Sequence, residues 1–175
     1  MGASPETTAF LKECLADALL KLLETRPMEK ITVPQIASLA GVGRTTYFRN
    51  FGSKEEMLSF KLIRLWERWA IEHQVQINRR YNKDNALTFF QFNYSIRSIL
   101  QLLYRRNLQS VLYGTFYAYM RPPQEADFIE RYKSCFYSYG LFGILDEWIK
   151  RDFVEPPEQM ARLTEKHESI RAEGR

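Results

Sequence analysis

A chain of 175 residues with 45% hydrophobic residues, 26% charged residues and a net charge of +4 has the composition of a folded globular protein rather than a disordered one, with enough length for one comfortable core or two short ones. No apolar run approaches the ~18 residues that cross a bilayer, so no membrane partner is expected. Two widely separated cysteines, Cys14 and Cys135, exclude a disulfide framework and a Cys-rich metal site, and a pI near 9.1 suits a polyanionic partner without requiring one.

The opening residues, MGASPETTAF, lack the basic and apolar regions of a secretory signal. Glu6 stands where a myristoylation signal after Gly2 needs Ser or Thr. The expected address is the cytoplasm. From Ala9 to Thr25, Phe10, Leu11, Cys14, Leu15, Ala18, Leu19, Leu22 and Leu23 recur at three- and four-residue steps, which predicts an amphipathic helix. Thr7 or Thr8 would cap it and Arg26-Pro27 would stop it. Thr32, with Pro34 and Gln35 behind it, forms a capping-box pattern that opens a short helix through Ala40, ended by Gly41. A second short helix follows from about Arg44 to Asn50. Ser53 and Glu56 repeat the capping pattern and open a long helix towards Gln76.

After the polar break Asn82-Lys83-Asp84-Asn85, helices are predicted over 86–106 and 108–120. The Arg121-Pro122-Pro123 corner precedes another over 125–151, and Pro156-Pro157 precedes a last one to about Arg171. Sustained period-two alternation and hairpin dipeptides are absent, so the expected fold is all-α. It comprises an N-terminal three-helix helix-turn-helix domain, 7–54, joined through the long helix 54–76 to a C-terminal antiparallel bundle, 55–175.

The two short helices carry the chemistry. Ala37 suits a close crossing, and Gly41 suits the positive φ of a tight turn. Ile36, Leu39, Ala40, Val42, Tyr47 and Phe51 would share a small core, leaving Arg44, Thr45, Thr46, Arg49 and Asn50 outward. That outward set holds donors and acceptors but no carboxylate, as phosphate oxygens and base edges require. An ordinary αα-hairpin shares the Ala-x-x-x-Gly spacing; the acid-free face, followed by Lys54, favours double-stranded DNA.

Residues 31–58, ITVPQIASLAGVGRTTYFRNFGSKEEML, closely resemble the N-terminal DNA-binding domain of the TetR family of bacterial transcriptional regulators, and helix 9–25 resembles that family's first helix. The resemblance implies a homodimer that binds operator DNA, usually as a repressor, and leaves it when a small molecule occupies the C-terminal domain. Position by position, it implies phosphate or base contacts from Thr32 and Gln35 and major-groove contacts from Arg44, Thr45, Thr46 and Arg49. Tyr47, Phe48, Asn50 and Lys54 would clamp the backbone. Gly43 stands where the family often has an N-cap Ser, and Phe48 stands where it has a phosphate-contacting Tyr, so either Tyr47 or Phe48 faces the DNA. Arg44 can serve a guanine or a phosphate.

Most aromatic residues lie between Tyr81 and Trp148. Phe89, Phe92, Tyr104, Tyr113, Phe116 and Tyr117 are candidates to line a pocket for a small hydrophobic or aromatic effector, although aromatic stripes at helical spacing also serve as core. Helix 125–151 is apolar nearly all round and carries Gly140 and Gly143, each costing about 1 kcal/mol relative to Ala inside a helix. Close approach across a two-fold axis gives these glycines a reason. The segment GLFGILDEWIKRDFVEPPEQMARL is also similar to the end of the C-terminal domain in one TetR subgroup. Tyr137, Gly140, Leu141, Ile144, Trp148 and Met160 are the interface candidates.

No catalytic residue, metal or cofactor is expected. His73 and His167 are isolated, the Glu55-Glu56 and Asp146-Glu147 neighbours point different ways on a helix, and no catalytic motif is present. Arg105-Arg106 and Lys150-Arg151-Asp152 read as solvated helix ends. The competing expectation is a helix-turn-helix adaptor protein that senses no small molecule.

Overall fold

The computed structural model describes residues 4–75, 83–122 and 124–172, with backbone alone for 83–85 and 165–172. Gly2, Gln76, Asn82, Pro123 and the side chain of His167 therefore lie outside the described residues. All regular structure among the described residues is helical: α1 (Pro5–Thr25), a 3-10 turn (Met28–Lys30), α2 (Val33–Leu39), α3 (Arg44–Asn50), α4 (Lys54–Glu72), α5 (Lys83–Ser95), α6 (Arg97–Arg105), α7 (Gln109–Met120), α8 (Phe128–Lys150) and α9 (Pro157–Ala172). No helix there is long and apolar enough to cross a membrane.

Three helix ends differ from the sequence expectation. The α1 cap is Ser4 rather than Thr7 or Thr8: Ser4 Oγ accepts from Thr7 N–H at 3.2 Å, and Pro5 pre-sets the first turn. Among the described residues α4 stops at Glu72, where Gln74 turns left-handed at φ 54°. The helix expected over 86–106 breaks at Ile96. There Asn93 Nδ2 donates to Phe89 O at 2.8 Å and Ser95 Oγ to Phe92 O at 2.6 Å, and such side-chain back-bonding competes with the helical ladder.

The chain divides into two compact units, residues 1–65 with 102–115 and residues 66–101 with 116–175. In the first, Leu15, Leu19 and Leu23 of α1, Ile36 of α2, Met57 and Leu58 of α4 and Leu103 of α6 are fully buried. Two ion pairs lace α1 to α4: Lys61 with Asp17 at 2.5 Å, and Arg64 with Glu13 at 3.1 Å. Arg106 is not a solvated helix end. Its Nε donates to Leu23 O at 2.5 Å and its Nη2 to Glu24 O at 2.7 Å, capping the last turn of α1, which has no basic residue of its own. Arg106→Ala should lower stability by about 1–2 kcal/mol. The corresponding fall in Tm is roughly 2–8 °C; unchanged denaturant unfolding would contradict the capping role.

The second unit is built around Trp148, which is 1% exposed. Tyr94 stacks on it at 6.0 Å between centroids, while Phe90 and Phe153 meet it at 5.5 and 4.7 Å. Its Nε1 donates to Glu155 O at 3.0 Å. Asp152 and Phe153 both take positive φ, 53° and 56°, and Phe153 N–H closes on Trp148 O at 2.9 Å. The strain of two left-handed residues, roughly 1–2 kcal/mol each, is offset by burying the Phe153 ring against the indole.

Candidate nucleic-acid interface

The helix-turn-helix is assembled from local rules. Thr32 Oγ1 accepts from Gln35 N–H at 3.4 Å, and Gln35 Oε1 accepts from Thr32 N–H at 2.9 Å, a complete capping box. These bonds occupy the side chains of both Thr32 and Gln35 at the start of α2. Gly41 takes φ +69°, and Val42 N–H reaches back to Ala37 O at 3.0 Å. A Cβ at Gly41 would meet nothing within 4 Å, so the left-handed backbone alone selects glycine here. Ile36, Ala37, Tyr47 and Phe51 are buried, whereas Leu39, expected in this core, is 46% exposed.

On α3, Arg44, Thr45, Phe48 and Arg49 are exposed, whereas Thr46 and Asn50 are half-buried. The spacing of the exposed four traces one edge of the helix. Asn50 is folded back, its Nδ2 donating to Thr46 O at 2.7 Å. Of the two neighbouring aromatics, Tyr47 is 4% exposed and Phe48 70%. Tyr47 packs against Phe51 at 6.4 Å; burial, then Glu55 and Glu56, raise its phenol pKa above the ordinary value.

Two caps prepare the next element. Ser53 Oγ accepts from Glu56 N–H at 3.0 Å, as the sequence pattern predicts. Glu56 Oε2, however, accepts from Gly52 N–H at 2.7 Å, one residue earlier than in a capping box. Lys54 Nζ donates to Met28 O at 2.6 Å and to Ile31 O at 3.0 Å. Two of its three protons thus tie α4 to the segment before α2, leaving one for an outside acceptor. No carboxylate occurs between Ile31 and Lys54.

Gly43 opens α3 with φ −71° and ψ 147° and without a side-chain cap. A Cβ there would meet only Thr45 Oγ1, at 3.7 Å, so a serine fits without strain. Gly43→Ser should stabilise the fold by about 0.4–1 kcal/mol, through the missing cap and a stiffer unfolded chain. Thermal unfolding checks it; a lower Tm would show that the turn tolerates only glycine.

The candidate pocket residues are divided between the two compact units. Tyr104 and Tyr113 belong to the first unit; Phe89, Phe92, Phe116 and Tyr117 belong to the second. Phe89 meets Phe116 at 5.6 Å and Tyr117 meets Tyr139 at 6.2 Å, while Phe92 packs edge-on to Trp66 and Trp69 at 5.1 and 5.9 Å. Trp66 donates to Tyr119 Oη at 2.7 Å, and His73 stacks on Trp69 at 4.0 Å. Trp66, Trp69 and His73 form one column at the C-terminal end of α4, which their three- and four-residue spacing marks as a single helix face.

The interface candidates divide as well. Leu141, Trp148 and Met160 are buried by their own chain, whereas Gly140 is exposed and Tyr137 and Ile144 are half-buried. A groove of about 850 Å³ on α8 and α9 is lined by Gly140, Gly143, Ile144, Glu147, Arg151, Leu163 and their neighbours. At its end Arg151 pairs with Glu155 at 2.6 Å, and that hydrogen bond holds the Glu155 carboxyl below its ordinary pKa. A Cβ at Gly140 or Gly143 would meet nothing within 4 Å. Further along α8, Phe128, Tyr132, Phe136 and Tyr139 are exposed. Among the described residues no group of His, Cys, Asp and Glu is placed to hold a metal ion.

Two short helices joined by a left-handed glycine, with the second presenting a cationic and hydroxyl-bearing edge, define a helix-turn-helix protein. Residues 15–59 match the family described as bacterial regulatory proteins, tetR family, and residues 82–167 match a transcriptional regulator C-terminal region. The chain belongs to the TetR family of helix-turn-helix transcriptional regulators. It is 35% identical over 60 residues to the HTH-type transcriptional regulator AlkX of Mycobacterium tuberculosis, a match covering 34% of this chain and 28% of that protein.

Proposed function

We propose that the protein is a homodimeric repressor that reads a two-fold symmetric operator in double-stranded DNA. Each subunit would set α3 in a major groove, with half-sites about one helical turn or a small multiple apart. The observation that carries this is the exposed edge Arg44–Thr45–Phe48–Arg49, on a helix held by the Gly41 turn and free of carboxylates from Ile31 to Lys54. Contacts from Thr32, Gln35 or Asn50 would need groups outside the bonds they make in the free chain, such as the Gln35 amide N–H donors, whereas the third proton of Lys54 would serve a phosphate oxygen directly. Selection of bound sequences from a random DNA pool tests this: a palindromic consensus is expected, and no enrichment would overturn it. Arg44→Ala should weaken operator binding by about 1–3 kcal/mol if the guanidinium meets a guanine, as measured by gel shift at fixed salt.

The dimer would form through the α8–α9 groove, where exposed helical glycines have no packing reason within their own chain. Release by a small hydrophobic or aromatic effector requires that the effector bind one dimer shape better than the other. The aromatic rings of the second unit, Phe89, Phe92, Phe116 and Tyr117 among them, support an apolar ligand. A thermal-shift screen with such compounds tests this. Failure of every compound to move Tm, with DNA binding intact, would favour an adaptor that senses no small molecule.

A further inference from the structure

We propose that Phe48 is a specificity-determining residue that reads the C5-methyl group of a thymine in each half-site; this rests on the DNA-binding reading above. Phe48 is 70% exposed on α3, with Arg44 and Thr45 one turn before it and Arg49 beside it on the same exposed edge. Its ring meets buried Tyr47 edge-on at 5.2 Å, so an apolar surface stands within a row of hydrogen-bonding groups. A benzyl side chain offers no donor to a phosphate oxygen, and covering a charged oxygen with it removes water without replacing a hydrogen bond. Among the base edges in the major groove, the thymine methyl is the apolar feature. A ring between Arg44 and Arg49 therefore matches a thymine beside hydrogen-bonding base pairs.

The test uses full-length protein and its pool-selected operator. Each thymine is replaced in turn by deoxyuridine, symmetrically in both half-sites, which removes only the methyl group. One position per half-site should lose affinity by about fourfold for each methyl removed, and Phe48→Ala should abolish that sensitivity while melting like the wild type. Phe48→Leu should retain part of it, because an apolar side chain remains. Uniform weakening of every sequence by Phe48→Ala, with no methyl-sensitive position, would place the ring against the sugar and overturn the proposal. So would methyl sensitivity that persists unchanged in Phe48→Ala. Either result leaves DNA binding itself standing, whereas a pool that yields no selected sequence removes the DNA-binding reading instead.

Discussion

Trp148→Ala is expected to destabilise the second unit by about 3–5 kcal/mol, the range for emptying a core tryptophan site, and to lower Tm by roughly 6–20 °C. The indole is covered by Tyr94, Phe90 and Phe153 of its own chain. Its truncation leaves a cavity among aromatic neighbours and strips the Glu155 carbonyl of its donor. It also removes the surface that compensates the left-handed Asp152–Phe153 turn. Trp148→Phe should fall between, keeping ring contacts but losing the N–H. The expected signature is a lower melting temperature at every protein concentration. A variant that melted normally when dilute, yet failed to self-associate, would instead place the tryptophan in a subunit interface, where the sequence alone puts it. Comparison must be made at matched protein concentration, because dimerisation itself raises Tm by mass action.

That difference marks where the sequence stops being informative. Features closed within one turn were legible: the Thr32–Gln35 capping box, the left-handed Gly41, the Ser53 cap and the proline-bounded helices each follow from residues a few positions apart. Side-chain phase on a seven-residue helix was not. Tyr47 and Phe48 are both aromatic, and only packing against Phe51 decides which one turns inward. Leu39 shows the same limit in the last turn of α2. Long-range placements were beyond reach for a different reason: nothing near Arg106 announces that it caps a helix ending at Thr25. Likewise, no local signal assigns residues 102–115 to the same compact unit as residues 1–65. The apolar circumference of α8 is legible in the sequence, but which part of it the chain itself covers is not. Leu141 and Leu145 are buried by their own chain, Gly140, Gly143 and Ile144 border the groove, and Trp148, though 1% exposed, forms part of the groove's floor.

Ile144→Arg is expected to convert the proposed dimer to a folded monomer and to weaken operator binding by about 10²–10⁴-fold. Ile144 is half-buried beside two glycines whose Cα positions are open to approach, so a long charged side chain there can reach solvent in the free chain. In an isologous interface the substitution acts twice, setting two guanidinium groups into one apolar seam. Each would lose water without gaining a partner, and a buried unpaired charge costs several kcal/mol. The DNA consequence follows from linkage of two weak half-site contacts: once the subunits separate, the second contact no longer benefits from the high effective concentration the dimer provides. Sedimentation should show half the wild-type mass with unchanged helical content, and the salt dependence of the residual binding should be about half as steep. Ile144→Val should remain dimeric. An Ile144→Arg protein that stays a dimer would exclude this face as the interface, and one that sediments as a monomer yet binds the full operator undiminished would exclude the dimeric mode of recognition.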